Sequence, residues 1–408
     1  MQRAVAPRLS LMMFLNYVVW GAWYVTIGTY LTQTLHFTGT QAGAVFGTSA
    51  LACMISPFIV GLIADRFFAA ERVLCALHLI GAGLLYLVSQ ATTFTSVYLL
   101  MLAYCLCFFP TLALTNSLTL RNVKNPASDY PRIRLFATLG HIAINLVIGS
   151  LQMERAATTF LISAGASVVM ALYCLTLPHT PPKATGAPES WRTAIGLDAL
   201  VMMKDRSFAV FVIASVLACI PLAFYFTFTN AFLNEVGVVN AAGKMTLGQV
   251  AEIVMMLLMP FIFRNFRLKT ILVAGLAAWS VRYALLAFGN AGDGMWLFYG
   301  AILLHGICFD FFFVSGQLYT DQQAPQHLRG TAQGLMMVLT YGVGMFLGSL
   351  FSGWTVDFFT SPQGRDWRSF WLSSAASAFV ILVLLAVFFR SRVQIRTEQS
   401  EPEAAVAT

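Results

Sequence analysis

Arg134, His141, Glu252, Arg282, His305 and Asp310 are ionisable side chains that stand inside long apolar runs of this sequence. An ionisable group at bilayer depth costs roughly 3 kcal/mol or more, so it faces a cavity or a partner. A carboxylic acid in such a place can gain and lose a proton, because burial favours the neutral acid and a nearby arginine favours the anion. Glu252 and Asp310 are the two acids well inside the runs, and are the candidates for proton coupling. Arg134 cannot shed its proton, so it needs an acceptor, either Glu252 or a ligand. Arg282 lies nearer the outer end of its run, where snorkelling or a structural pair is expected.

Spacing gathers some of these groups. Arg134, Thr138, His141 and Asn145 follow i, i+4, i+7, i+11 and make one polar stripe on a helix; the plainer reading is a hydrogen-bonded seam between helices. Gln249 and Glu252 are three apart and share a face, for ligand contact or for a buried ion pair. Asp310 sits in Cys308-Phe309-Asp310-Phe311-Phe312-Phe313, with no local polar relief, and either titrates or pairs with Arg282 or a neighbouring helix. Trp20, Trp23, Phe108, Phe109, Tyr225, Phe226, Phe309 and Phe312 offer flat faces on which a planar ring could stack, or they simply pack.

The elements that must hold these groups are membrane helices. The chain has 408 residues, 58% hydrophobic and 10% charged. A water-soluble chain carries nearer a quarter charged residues. Twelve runs approach the roughly 20 apolar residues of a spanning helix: about 10–32, 40–64, 73–90, 95–119, 133–153, 157–177, 207–233, 245–263, 270–289, 295–318, 330–355 and 369–389. The first is too long and too aromatic for a cleaved signal. The widest gap, 178–206, is rich in proline and charge and divides the chain into six-helix halves at 1–177 and 207–390, with a polar tail at 391–408 that is expected to be disordered. With the N-terminus in the cytoplasm, eighteen of the 24 lysines and arginines fall in cytoplasmic segments and four outside, with Arg134 and Arg282 inside helices. That bias places both termini in the cytoplasm. The net charge of +7 is therefore a topology signal, and no continuous basic patch points to nucleic acid.

Two six-helix halves joined by a cytoplasmic linker resemble the major facilitator superfamily, as does Gly61-Leu62-Ile63-Ala64-Asp65-Arg66 between the second and third helices. The resemblance makes Gly61, Asp65 and Arg66 a cytoplasmic gate, although Phe67-Phe68-Ala69-Ala70 stands where a basic cluster usually follows. More narrowly, the chain resembles the bacterial nucleoside:proton symporters. The matching stretches are Trp20-Gly21-Ala22-Trp23, Pro110-Thr111 with Asn116, and Pro131-Arg132-Ile133-Arg134 with Thr138. They continue through Leu175-Thr176-Leu177-Pro178-His179-Thr180-Pro181 and Gly196-Leu197-Asp198. In the second half they are Gln249 with Glu252, Phe309-Asp310-Phe311-Phe312 and Ala332-Gln333-Gly334. The resemblance implies an all-α membrane protein of twelve helices that imports nucleosides across the cytoplasmic (inner) membrane by proton symport. It implies substrate contacts at Arg134, Thr138, Gln249, Glu252, Phe309 and Asp310, to which His141, His305, Tyr225 and Trp20 are added as lining groups. Helix seven departs from the pattern: Ala223 and Phe226 stand where the family presents amides, His141 replaces an aromatic and His305 a tyrosine.

Other classes are weaker. Gly237 to Lys244 misses a phosphate loop in spacing and lacks a Ser/Thr after the lysine; the sequence has no H-E-x-x-H and no G-x-S-x-G. The serious rival is a transporter of the same superfamily for sugars, drugs or lipids. No cofactor or metal is expected, the seven cysteines read as packing residues, and the expected partners are a nucleoside, protons and the bilayer, with the chain a monomer.

Overall fold

The computed structural model describes residues 5–59, 67–182 and 197–390. Twelve long helices fill these residues: α1 (Val5–Thr34), α2 (Gly39–Ile59), α3 (Ala70–Gln90), α4 (Phe94–Asn122), α5 (Pro126–Ser150) and α6 (Thr158–Cys174), then α7 (Arg206–Glu235), α8 (Ala241–Asn265), α9 (Leu268–Phe288), α10 (Met295–Gln323), α11 (Gln326–Phe358) and α12 (Trp367–Phe388). Ten of them are long and apolar enough to cross a membrane by length and composition, and α6 is a shorter apolar helix. The fold is all-α; the strands among the described residues are the two-residue β1 (Thr360–Ser361) and β2 (Gly364–Arg365), an antiparallel hairpin between α11 and α12. In a bilayer every backbone polar group must be met internally, which is why apolar runs of this length become helices.

Helix ends follow local chemistry. Side chains of Thr93, Asp205 and Asp366 accept from Ser96 N (3.4 Å), Phe208 N (2.7 Å) and Ser369 N (3.1 Å), starting α4, α7 and α12. Glu71, in the first turn of α3, accepts from Thr180 N (3.0 Å) and faces His179 Nδ1 at 2.7 Å, so the chain leaving α6 is tied back to α3. A short 3₁₀ helix, Leu197–Lys204, packs Ala199 against Ala332 and Leu335 of α11. The gate residues Gly61, Asp65 and Arg66, most of the expected linker (183–196) and the tail 391–408 lie outside the described residues.

Helices α1–α6 pack mainly with one another, through α1 with α5 and α6, α3 with α4 and α6, and α2 with α4. Helices α7–α12 do the same, through α9 with α12, α7 with α11 and α12, and α8 with α10. The two sets meet along α2 with α11, α5 with α8, and the end of α1 with α7. Glycines at four-residue spacing, Gly39, Gly43 and Gly47 in α2 and Gly344 and Gly348 in α11, allow close packing: a Cβ on Gly43 would run into the Ser349 carbonyl, and one on Gly348 would lie 2.8 Å from the Cys219 carbonyl oxygen. Every described hydrogen bond between the sets lies at one end, where α1, α5, α7 and α11 finish and α2 and α8 begin. That end is shut.

Candidate functional site

The predicted site residues converge on the seam between the two sets. The polar stripe of α5 is real: Arg134, Thr138 and His141 are half-buried along it, and Asn145 is buried, its Nδ2 donating to His141 O at 2.9 Å. Arg134 meets no carboxylate within ion-pair distance among the described residues. It donates from Nη2 to Tyr17 Oη at 2.6 Å, and its guanidinium carbon lies 4.6 Å from the centre of the Tyr17 ring. Tyr17 shares a face of α1 with Trp20, and the two rings meet edge to face at 5.4 Å. Trp20 in turn contacts Phe108, Phe109 and His141, which joins α1, α4 and α5 in one aromatic wall.

Across the seam, Gln249 is turned so that its amide nitrogen faces Met245 O at 3.0 Å, one turn above Glu252. Glu252 lies within electrostatic reach of Arg134, and 3.8 Å separate its Oε2 from His305 Nε2. That gap is too long for a direct hydrogen bond. The Glu252 side chain keeps 25% of its surface exposed, whereas the His305 side chain keeps 5%. His305 stacks with two rings, Tyr225 at 5.5 Å and 25° and Phe309 at 6.0 Å and 26°. Its imidazole offers a flat face with ring nitrogens, of which Nδ1 has no hydrogen-bond partner among the described residues.

Of the two expectations for Arg282, snorkelling is overturned and structural pairing remains. Its side chain is fully buried and lies 3.4 Å over the Tyr225 ring. It does not pair with Asp310. Asp310 is fully buried at the start of a π-helical turn, Asp310–Val314, and neither carboxylate oxygen has a hydrogen-bond partner among the described residues. Single π-turns inside α-helices recur at functional positions, because the extra residue re-aims a side chain. Beside Arg282, Tyr283 donates to the Pro221 carbonyl, which braces α7 at its internal proline just before Tyr225.

Besides the residues chosen from sequence, the structure brings Tyr17 against Arg134 and buries Glu154. Tyr17 had a readable signal, since it sits three residues before Trp20 on the same helical face. All seven cysteines are free, as the sequence suggests for packing residues.

Twelve helices in two sets of six around a seam lined by charge and aromatic rings define a secondary transporter of the major facilitator fold. Residues 3–394 match the family described as nucleoside H+ symporters, and the chain belongs to that family. It is 38% identical over 398 residues to YegT of Escherichia coli (strain K12), covering 94% of this chain and 93% of the relative. It is 33% identical over 402 residues to the xanthosine permease of the same organism, covering 95% and 96% of the two chains. Crystal structures of the nucleoside transporter NupG superpose with TM-scores of 0.90 for a single-residue mutant and 0.88 for the parent, at 30% identity, covering 94% and 95% of this chain and 100% of each of theirs. The chain is therefore a multi-pass membrane transporter and not an enzyme.

Proposed function

We propose that this protein imports nucleosides across the bacterial cytoplasmic membrane by proton symport, alternating between states open to either side. The two rigid bodies are residues 1–177 and 207–390, the linker 178–206 and both termini are cytoplasmic, and the working unit is a monomer. The observation that carries the reading is the placement of Arg134 on α5 and Glu252 on α8: two ionisable groups from different halves, on helices that pack together, with no ion pair between them among the described residues.

A solute between them supplies what each lacks. The planar fork of Arg134 can donate two parallel bonds to ribose oxygens, and Gln249 and Glu252 can accept from ribose hydroxyls. The base then stacks among Trp20, Tyr225, His305 and Phe309, with Thr138 and His141 on the facing wall of α5. Glu252 or Asp310 carries the proton, and Gly61, Asp65 and Arg66 close the cytoplasmic side. A hydrogen-bonding site rejects ligands that leave its groups unpaired, whereas stacking discriminates little between bases. The carrier is thus strict about the sugar and tolerant of the base. Competition against uptake of one labelled nucleoside tests this: purine and pyrimidine nucleosides should compete, and free bases and hexoses should not. Strong competition by a free base, or by a hexose with no effect of any nucleoside, would overturn it.

A further inference from the structure

We propose that Glu154, in the turn between α5 and α6, is the gating residue of the outer face: its release from α7 and α8 lets the halves part and admits solute from outside. The inference rests on the reading of the chain as an alternating transporter.

Glu154 is buried, at 3% exposure, yet among the described residues no lysine, arginine or histidine stands within ion-pair distance of it. Its acceptors are met instead by N–H groups of the other half. Oε2 takes Asn230 Nδ2 at 2.9 Å and also Asn234 Nδ2, and Oε1 takes Ala242 N at 2.9 Å, in the first turn of α8. A carboxylate removed from water needs such donors, and bonds to a charged acceptor are roughly twice as strong as neutral ones. The N-terminus of a 25-residue helix adds a favourable dipole. Neighbouring groups hold the donors in place. Thr29 Oγ1 donates to Asn230 Oδ1 at 2.5 Å, which turns the amide nitrogen toward Glu154, and Gln33 Nε2 donates to Ala231 O at 2.7 Å. The nearby cations are spent elsewhere: Arg155 Nη2 donates to Asn234 O at 3.1 Å, and Lys244 Nζ to Val239 O.

All three donors belong to the half opposite Glu154, so these bonds exist only while the outer face is shut. When the halves part, water can replace the donors on a carboxylate that then lies at the surface, which makes the closure reversible. The same side chain joins the outer ends of α5, α7 and α8, the helices that carry Arg134, Tyr225, and Gln249 with Glu252. From Ala242 to Glu252 is about 15 Å along the helix at 1.5 Å per residue. Rearrangement of α5 and α8 around a solute is therefore transmitted directly to the latch.

The test uses the full-length protein in intact cells with Thr227→Cys as a reporter. Thr227 is 1% exposed on α7 beneath the latch, with its carbonyl packed against Gly28 of the other half. Labelling by a membrane-impermeant maleimide is read against the chain without the reporter, which sets the background from native cysteines. Glu154→Gln keeps shape but cannot accept at both positions. Glu154→Gln and Glu154→Ala should each raise reporter labelling about tenfold, the population shift expected from losing one charge-assisted bond, and should lower accumulation of labelled nucleoside. Unchanged labelling in the near-isosteric Gln variant would overturn the proposal, and so would a fall in thermal stability with no gain in labelling. The labelling reads the gate whether or not a nucleoside moves. Raised labelling with no nucleoside uptake by the unmodified chain would leave the gate standing and remove the substrate reading instead.

Discussion

Arg134 meets a tyrosine where its position suggests a carboxylate. The cost of an intramembrane charge made Arg134, Glu252 and Asp310 legible in the sequence, because an unneeded charge at that depth is expensive. Their partners were not legible. The Tyr17 hydroxyl, the Tyr225 ring under Arg282 and the cradle around Glu154 depend on helix rotations that no spacing fixes. Glu154 stands between two apolar runs, and only packing shows it buried. Two predictions belong at this scale. Glu252→Gln and Asp310→Asn remove the acid while keeping its shape, and at least one should abolish accumulation against a gradient in a proton-driven uptake assay; normal accumulation by both would contradict the coupling role. Arg134→Lys keeps the charge and loses the planar fork. Uptake should fall at least tenfold, the loss expected when a hydrogen bond to a charged group goes unmade, with membrane insertion unchanged. Near-normal uptake by the lysine variant would show that charge alone suffices.

At the scale of elements, runs of apolar residues placed all twelve helices, with ends extended by a few residues where caps such as Asp205 and Thr93 set the first turn. The four-residue glycine spacing in α2 also foretold close packing, and the partner proved to be α11. What composition did not convey was the π-helical geometry at Tyr30–Thr34, Asp310–Val314 and Val338–Gly344, because an extra residue in a turn leaves the apolar pattern intact. The close approach of α2 and α11 is itself testable. Gly43→Leu would press a side chain into the Ser349 carbonyl, and overpacking of this kind costs about 1–3 kcal/mol. The variant should melt lower in detergent and transport slowly. A melting temperature equal to that of the parent would show that α2 and α11 are not held so close.

At the scale of the whole molecule, the wide gap after the sixth apolar run marks where the chain passes from one set of six packed helices to the other. The substrate is harder to read at this scale, because the fold serves many solutes and its identity rests on a few side chains at one seam. Here the seam presents Arg134 and Glu252 from opposite sets, while α7 presents Ala223 and Phe226 and α10 presents His305. The hydrogen bonds that close one end of the seam, those to Glu154 among them, mark this structure as one of the two states required by the alternating mechanism proposed above. Uptake of labelled nucleosides into cells that lack their own nucleoside carriers tests the central claim most directly, measured with the proton gradient intact and then collapsed. The account predicts accumulation above the external concentration that disappears when the gradient is collapsed. No uptake of any nucleoside, or accumulation indifferent to the gradient, would contradict it.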